Sequence, residues 1–199
     1  MVGPPLTSPD ELTPPDQLAT LRRSMRKVRQ ALFKEGLWRA APLDPLLLHL
    51  ISKSDVIGLY EPLGGEPDPA SIPIGLPKVT SRPALTDENL IVFRHWQRGD
   101  PQVPSPWGGS QPPETSPIVH PDIVFVPLVA FDSKMNRLGQ GGGHYDRYLS
   151  LHENALRVGI AWDAQRVDTL PARAWDIPLD AVITEQLCYM KELRPCLSR

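Results

Sequence analysis

Apolar side chains recur every three or four positions near the start of the chain, a spacing that places them on one stripe of an amphipathic helix. The stripe consists of Leu18, Leu21, Met25, Val28 and Leu32. It predicts a helix that begins at Asp16, as its N-cap, and ends at about Lys34. The other faces of this helix carry basic residues, which are Arg22, Arg23, Arg26, Lys27 and Arg29. The simplest interpretation of these residues is a solvated basic surface.

Five apolar runs rich in β-branched residues follow, each bounded by turn residues. They predict strands over residues 55–62, 90–96, 123–131, 157–162 and 180–184. Several of these runs are almost continuously apolar, which is typical of strands covered on both faces. Helical patterns accompany them over Leu46 to Ser52 and Tyr145 to His152. The alternation indicates an α/β fold with a mostly parallel sheet flanked by helices, in which ligands bind beyond the carboxyl ends of the strands.

The distribution of proline divides the chain. There are 24 prolines among 199 residues, against about 5% in an average protein. Five fall in residues 1–15, which have no apolar period and are predicted to be a flexible leader before a single domain of residues 16–199. Seven lie between Pro101 and Pro121 and predict that segment 99–122 has no regular structure. So long a loop is either a functional element or a rigid surface connection, and both interpretations stay open.

Charge and cysteine content narrow the classes of function. The chain has 21 Lys and Arg against 23 Asp and Glu, so it has no overall positive field that would attract nucleic acid. Cys188 and Cys196 lack C-x-x-C spacing, which argues against a disulfide framework or a structural zinc site and predicts reduced thiols. The sequence shows neither a signal-peptide pattern nor an apolar stretch of about 18 residues. We therefore expect a cytoplasmic protein without nucleic-acid or membrane partners.

Four glycines within five positions separate a predicted strand from a predicted helix. They are Gly139, Gly141, Gly142 and Gly143. Glycine lets backbone N–H groups approach an anion closely, and the start of a helix adds unsatisfied donors and a positive dipole end. The segment is not a dinucleotide fingerprint, because His144 stands where a third glycine is required, and it is not a P-loop, because no Lys follows. A phosphate site is therefore predicted, with a turn made only for tight packing as the alternative.

Charged residues flank residues 139–143, which we call the glycine loop. Arg137 precedes the loop and can neutralise phosphate oxygens, whereas Asp146 follows it within one helical turn. A carboxylate beside bound phosphate requires a cation between the two, which suggests Mg²⁺. An acidic residue in the first turn of a helix is also favourable by itself. Both interpretations of Asp146 stay open on these grounds.

The segment RLGQGGGHYDRYL, residues 137–149, resembles the signature of the 5-formyltetrahydrofolate cyclo-ligase family, also called 5,10-methenyltetrahydrofolate synthetases. The likeness continues in Leu21 and Arg22, in YEPLGGEPD over residues 60–68, and in AWDAQRVDTLPARAWDIPLDAVITE over residues 161–185. The resemblance implies a three-layer α/β fold similar to that of sugar-phosphate isomerases and CoA transferases. It also implies an ATP- and Mg²⁺-dependent reaction that converts 5-formyltetrahydrofolate to 5,10-methenyltetrahydrofolate, with release of ADP and phosphate.

The resemblance further implies roles for individual residues. The ATP-binding residues would be Arg22, Arg137, Gly139, Gln140, Gly141, Gly142, Gly143, His144 and Tyr145. The folate would contact Glu66, Gln140, Gly141, Gly142, Gly143 and His144. Asp146 and Asp176 would bind Mg²⁺, and Arg137, His144 and Tyr145 would be catalytic. The implied enzyme acts on these two small substrates as a monomer.

Three positions depart from the family pattern. Leu18 stands where many members have Lys, which removes one cation from the ATP phosphates unless Arg23 or Arg26 replaces it. His144 stands at the first Tyr of a Tyr-Tyr-Asp run and titrates near neutral pH. Gln140 stands where larger or basic residues are common. The departures at Leu18 and His144 leave open a non-catalytic relative that only binds folate or nucleotide. A third possibility is another enzyme of the same architecture that acts on a sugar phosphate and has no use for ATP.

Overall fold

The computed structural model describes residues 14–36, 38–72 and 79–191, so most of the predicted leader and Cys196 lie outside the described residues. The helices are α1 (Pro14–Glu35), α2 (Pro45–Lys53) and α3 (His144–Leu151). The strands are β1 (Val56–Gly58), β2 (Val79–Leu85), β3 (Ile91–His95), β4 (Val103–Pro104), β5 (Ser110–Gln111), β6 (Ile123–Pro127), β7 (Ala130–Phe131), β8 (Arg137–Leu138), β9 (Leu156–Ile160), β10 (Ala181–Ile183) and β11 (Cys188–Met190). None of the described helices combines the length and the apolar character that a membrane span requires.

Seven of these strands form one sheet in the order β11, β10, β9, β6, β1, β2, β3. The five from β10 to β2 run parallel, whereas β11 and β3 add antiparallel edges. The predicted α/β fold with a mostly parallel sheet is therefore confirmed. Strand β2 was not predicted, because Pro83 and three polar side chains contradict the pattern of a strand with neighbours on both sides. Strand β11 was not predicted either, because it is too short to show a period.

Apolar side chains form a core on each face of the sheet. On one face, Val158 of β9 belongs to the same buried cluster as Leu47 and Ile51 of α2. On the opposite face, Val126 of β6 belongs to a cluster with Leu149 of α3. Helices therefore cover both faces, and the three-layer arrangement is confirmed.

Helix α1 begins at Pro14, two residues before the predicted N-cap, because proline suits the first turn of a helix, where its missing N–H costs nothing. Asp16 lies within that first turn instead. The predicted apolar stripe is confirmed where Leu18, Leu21 and Met25 pack against buried residues beyond the end of β6. Helix α1 consequently lies at the carboxyl end of the sheet, where its basic residues reach the loops.

Residues 123–131, predicted as one strand, form the two strands β6 and β7. Between these strands, the fully buried side chain of Gln165 donates to the carbonyls of Leu128 and Val129 at 3.1 and 2.8 Å. The amide thereby takes the place of a strand partner, and the chain leaves the large sheet. It continues as the β7–β8 hairpin, which leads directly into the glycine loop.

The proline-rich segment contains a short hairpin of β4 and β5, so the prediction of no regular structure is wrong for these strands. Ser105 N donates to Gly109 O at 3.1 Å, and Gly108 N donates to Ser105 O at 3.0 Å, which closes the turn. Proline is tolerated in β4 because an edge strand does not need every N–H for its ladder. Gly109 lies so near the loop after β1 that a Cβ there would be 3.0 Å from Leu63 Cδ2. The hairpin therefore stands beside the carboxyl end of the sheet.

Candidate active site

A cavity of about 1030 Å³ opens at the carboxyl ends of β1 and β6, where the sequence predicted ligands to bind. Its walls come from α1, the loop after β1, the β4–β5 hairpin, the glycine loop with the first turn of α3, and residues 170–177. Pockets for one small ligand span about 300 to 1,000 Å³. The cavity is therefore large enough for two ligands side by side.

The glycine loop has a shape that other residues would not adopt. Gly141 and Gly143 have φ angles of 110° and 64°, in the region that favours glycine. A Cβ at Gly142 would lie 2.5 Å from the ring of His144. At Gly139 a Cβ would meet nothing within 4 Å, so packing does not explain that glycine. Tight packing explains Gly142 but not the open space at Gly139. An open cradle for an anion therefore fits the glycine loop better than a turn made only for packing.

Arginine side chains from α1 reach the glycine loop. Arg22 Nε donates to Gly139 O at 2.9 Å, and Arg26 Nε donates to Gln140 Oε1 at 2.9 Å. Burial lowers the pKa of Arg22, and the positive charges of Arg26 and Arg173 lower it further. None of these three guanidinium groups forms an ion pair with a carboxylate of the described residues. Such a group of unbalanced cations suits a polyanionic ligand.

Arg137 and Asp146 bind each other across the glycine loop. Arg137 Nη1 lies 2.8 Å from Asp146 Oδ1, and the two side chains are 4% and 20% exposed. Ile177 N donates to the same carboxylate oxygen at 3.0 Å, while Ile177 O accepts from Arg137 Nη1 at 3.3 Å. The pair therefore holds both ends of the glycine loop together and ties residues 170–177 to them. Within the described part of the chain, the hydrogen bonds to Asp146 all end on Oδ1.

The second predicted metal ligand, Asp176, lines the same cavity, and its Oδ2 accepts from Arg173 N at 2.8 Å. The described ranges contain no cluster of three or more His, Cys, Asp or Glu side chains that could hold a metal ion. Mg²⁺ usually keeps several waters and takes one or two carboxylates together with substrate phosphates. The donor set of Asp146 and Asp176 thus fits an Mg²⁺ ion that arrives with a nucleotide better than an ion held by protein alone.

Glu66 is buried in the cavity wall and pairs with Arg29 of α1. Arg29 Nη1 lies 2.9 Å from Glu66 Oε1, and Glu66 Oε2 accepts from Leu63 N at 3.1 Å. Burial raises the pKa of Glu66, although the charge of Arg29 and the hydrogen bonds to the carboxylate oppose this shift. The carboxylate is therefore held in a fixed position and faces a ligand site in which a hydrogen-bond donor would be well matched.

The interpretation of a solvated basic surface on α1 is wrong for Arg29, which is 3% exposed. Its guanidinium also donates to Gly64 O at 3.1 Å, so it anchors the loop after β1. Its partner Glu66 lies 37 residues away in the sequence, which no local pattern reveals. One signal could have found it: Arg29 stands four residues after Met25 and eight after Leu21, at the edge of the apolar stripe.

Gln140 connects the glycine loop to the buried carboxylate. Its Oε1 accepts from Arg26, and its Nε2 donates to Glu66 Oε1 at 3.5 Å. Glu66 in turn pairs with Arg29. This chain of contacts joins the predicted phosphate side of the cavity to the predicted folate side.

His144, Tyr145 and Trp107 form an aromatic wall of the cavity. The rings of Trp107 and His144 are tilted by 56° with centroids 5.3 Å apart. Arg147 Nη2 lies 3.0 Å from His144 Nδ1; because a guanidinium only donates, Nδ1 accepts and the imidazole is neutral. Burial and the negative charge of Glu66 raise the pKa of the Tyr145 hydroxyl, so it stays protonated.

The pKa of His144 is expected to lie below its ordinary value of 6.5, because burial and then the charge of Arg147 disfavour the imidazolium. An NMR titration of the ring signal, assigned by its absence from a His144→Gln variant, measures this midpoint. The Arg147→Ala variant should titrate at higher pH than the wild-type protein, since one of the two causes is removed. An equal midpoint in both proteins would contradict the influence of Arg147.

The structure brings every predicted site residue to this one cavity, including Arg22, Glu66, Arg137, Asp176 and the whole of 139–146. Arg26 also lines the cavity, whereas Arg23 is not among the lining residues, so Arg26 is the better replacement for the cation absent at Leu18. Several other lining residues had no site role predicted from the sequence, and these are Tyr60, Glu61, Arg82, Trp107, Arg147, Arg173 and Trp175. Most of these lie on segments that come close only through the fold.

Comparison with known proteins gives a consistent result. The profile of the 5-formyltetrahydrofolate cyclo-ligase family matches residues 16–185. A Haemophilus influenzae protein named 5-formyltetrahydrofolate cyclo-ligase is 52% identical over 65 residues, which cover 32% of this chain and 35% of the relative. Its Escherichia coli K12 counterpart is 50% identical over 70 residues, 34% of this chain and 38% of the relative. The matched segment thus spans little more than a third of these curated relatives.

The fold extends the likeness beyond that segment. An NMR structure of Aquifex aeolicus 5,10-methenyltetrahydrofolate synthetase superposes with a TM-score of 0.66 at 27% identity, and the match covers 89% of this chain and 96% of that one. The family profile itself covers six of the seven strands of the sheet, the glycine loop and the residues of the cavity. On this combination of a profile match over most of the chain and a shared fold, the chain belongs to the 5-formyltetrahydrofolate cyclo-ligase family.

Proposed function

We propose that the protein catalyses the ATP-dependent cyclisation of 5-formyltetrahydrofolate to 5,10-methenyltetrahydrofolate, with release of ADP and phosphate. The observation that carries the proposal is the single cavity in which Gln140 links the glycine loop to Glu66. A reaction between a nucleotide and a folate needs both substrates side by side, with the phosphoryl group directed at the formyl oxygen.

The chemistry explains why two different walls are required. A formyl amide carbon is a poor electrophile, so N10 of the folate cannot attack it at a useful rate. Transfer of the terminal phosphoryl group of ATP to the formyl oxygen turns that oxygen into part of a good leaving group. N10 then attacks the formyl carbon and gives up its proton, phosphate departs with the oxygen, and the methenyl bridge is complete. The protein has to position the substrates and balance charge on the transferring group.

The nucleotide side of the cavity is assigned to the glycine loop and its arginines. Backbone N–H groups of the loop would bind the phosphates, with Arg22, Arg26 and Arg137 balancing their charge. Asp146 and Asp176 would hold Mg²⁺, which supplies further neutralisation of the phosphate oxygens. In this assignment, the ion pair between Arg137 and Asp146 holds both side chains in place before the substrates bind.

The folate side is assigned to Glu66 and the aromatic wall. Each carboxylate oxygen has two acceptor sites, so Glu66 Oε2 can accept a hydrogen bond from the donor edge of the pterin while keeping Leu63 N, and Oε1 keeps Arg29 and Gln140. Tyr145 and His144 would flank the ring system. We further propose that the protein works as a cytoplasmic monomer, since both substrates are small polar molecules that demand neither a membrane nor a nucleic-acid partner.

A direct assay tests the proposal. Purified full-length protein with ATP, Mg²⁺ and 5-formyltetrahydrofolate is expected to develop the near-ultraviolet absorbance of the methenyl product, and omission of any one component should prevent it. A non-catalytic relative would bind folate or nucleotide without forming product. An enzyme for sugar phosphates would show no use of ATP. Absence of the product absorbance under all conditions would refute the proposed reaction.

A further inference from the structure

Two arginines of the cavity lie beside different glycines of the glycine loop. A Cβ at Gly141 would have the guanidinium of Arg22 as its nearest neighbour, at 3.8 Å. A Cβ at Gly143 would lie 3.1 Å from Arg147 Nη1. The charges that act on Arg22 are those of Arg26 and Arg173, so these three form one group and Arg147 stands apart from it.

Arg147 is placed where local energetics disfavour it. It lies in the first turn of α3, next to the positive end of the helix dipole. Two other arginines in the cavity wall have acidic partners: Arg29 pairs with Glu66, and Arg137 pairs with Asp146. Within the described residues, the side-chain hydrogen bond of Arg147 is to His144, and no carboxylate pairs with it. An exposed guanidinium with most of its five donors available at a cavity rim suits an anionic group of a ligand.

A line of side chains connects the folate site to this arginine. The charge of Glu66 acts on Tyr145, which lies on α3 in the aromatic wall of the cavity. His144 lies beside Tyr145 and contacts Trp107 on one side and Arg147 on the other. The order from the buried carboxylate outward is therefore acid, aromatic rings, cation.

This order matches the chemical order of a folate. Its pterin carries hydrogen-bond donors, its aminobenzoyl group is a flat ring, and its glutamate ends in carboxylates. With the pterin at Glu66, an aryl ring beside Trp107 and His144 would bring the glutamate to Arg147. Arginine is suited to this task because its planar fork matches a carboxylate with two parallel hydrogen bonds.

We propose that Arg147 binds a carboxylate of the glutamate tail of the folate and makes the enzyme selective for substrates that carry it. The proposal rests on the proposed function, because it places the pterin at Glu66. It assigns Arg147 to the second substrate and not to ATP, whose phosphates are assigned to the glycine loop with Arg22, Arg26 and Arg137.

The test compares two substrates that differ only in the tail. Wild-type and Arg147→Ala proteins are assayed with 5-formyltetrahydrofolate and with 5-formyltetrahydropteroate, which lacks glutamate. The kcat/KM for 5-formyltetrahydrofolate divided by that for 5-formyltetrahydropteroate should fall about tenfold in Arg147→Ala. This is the loss expected for one charge-assisted contact at a partly exposed site. Arg147→Lys should lose less, because it keeps the charge. Arg39→Ala removes an exposed arginine outside the cavity lining and should keep the wild-type ratio.

The outcomes separate this inference from the proposed function. An unchanged ratio in Arg147→Ala, or a rise confined to the KM for ATP, overturns the role of Arg147 while the reaction stands. If the wild-type protein forms no product, the proposed reaction fails, and calorimetric binding of the two folates without ATP still decides the inference. The inference is supported if Arg147→Ala weakens binding of the glutamate-bearing compound and leaves binding of the pteroate unaffected. It is overturned if the variant weakens both equally, or if the wild-type protein binds neither compound. Thermal unfolding of each variant confirms that the proteins compared are folded.

Discussion

Replacing Glu66 with alanine is expected to abolish detectable turnover and to lower the free energy of unfolding by about 3 to 5 kcal/mol, the cost of leaving a buried charge unpaired. Arg29 and Glu66 are 2.9 Å apart with side chains only 4% and 7% exposed, so water cannot easily replace the lost carboxylate. Urea unfolding followed by tryptophan fluorescence measures the stability, and methenyl absorbance measures the turnover. Loss of turnover at wild-type stability would show that Arg29 does not need Glu66 for charge balance.

Two further variants separate the structural role of Glu66 from its role in folate recognition. The double replacement Arg29→Met with Glu66→Leu removes both charges and should recover part of the lost stability, as apolar replacements of buried ion pairs do. It should not recover turnover, because no carboxylate remains to accept hydrogen bonds from the pterin. Glu66→Gln keeps the shape and should lower kcat/KM for folate by about 100-fold, since charge-assisted hydrogen bonds are lost. A double variant that regained turnover would leave Glu66 with a structural role alone.

The raised pKa of Glu66 adds a dependence on pH. Because burial favours its neutral form, Glu66 takes up a proton at a higher pH than an ordinary glutamate, whose pKa is 4.5. A protonated carboxyl group is a weaker acceptor, so kcat/KM for folate should fall as pH decreases toward that raised pKa. The profile is measured at saturating ATP in wild-type and Glu66→Gln proteins, and the variant should lack this acidic limb. An identical limb in both proteins would assign it to another group.

The parts of the structure that follow from local pattern were predictable. The apolar stripe of α1 and the strand runs depend on side chains within a few residues of each other, and the structure confirms them at Leu21 and Met25. The glycine loop was also recognisable, because its four glycines and flanking charges are close in sequence. Strand β2 was not, because Pro83 and the polar residue Ser81 are buried through contacts that a single strand does not display.

The contacts that build the site from distant segments were beyond the reach of local pattern. Arg26 and Gln140 are 114 residues apart, and Arg22 and Gly139 are 117 residues apart. Spacing along α1 identifies an apolar face but does not say which arginine will be buried, and Arg29 was wrongly grouped with the solvated ones. The family resemblance supplied part of this information, since it named Arg22 and Glu66 together. It did not reveal the ion pairs that hold these residues.

The Asp146→Asn variant is expected to need at least about tenfold more Mg²⁺ for half-maximal turnover. Replacing a charged ligand by a neutral one weakens the binding of a hard cation, which prefers carboxylate oxygen. The stability of the variant should fall less than that of Glu66→Ala, because Asp146 is less buried and the amide keeps the hydrogen bonds. The Asn oxygen can still accept from Ile177 N and Arg137 Nη1, which in the wild-type structure donate to Asp146 Oδ1 at 3.0 and 2.8 Å. Magnesium titrations of the rate at saturating ATP and folate measure the requirement, and thermal unfolding measures the stability.

Comparison of Asp146→Asn with two matched variants decides what the Arg137–Asp146 pair contributes. Asp176→Asn alters the other carboxylate, which accepts only from Arg173 N among the described residues, and it should shift the Mg²⁺ requirement in the same direction. Arg137→Ala removes the cation of the pair and should raise the KM for ATP more than the KM for folate, because the phosphates lose a charge partner.

A folded Asp146→Asn protein with wild-type Mg²⁺ dependence would exclude Asp146 as a ligand and leave it as the anchor of Arg137 and Ile177. An effect of Arg137→Ala confined to folate would move Arg137 to the other substrate, and the glycine loop would then be held together by a pair that serves the folate.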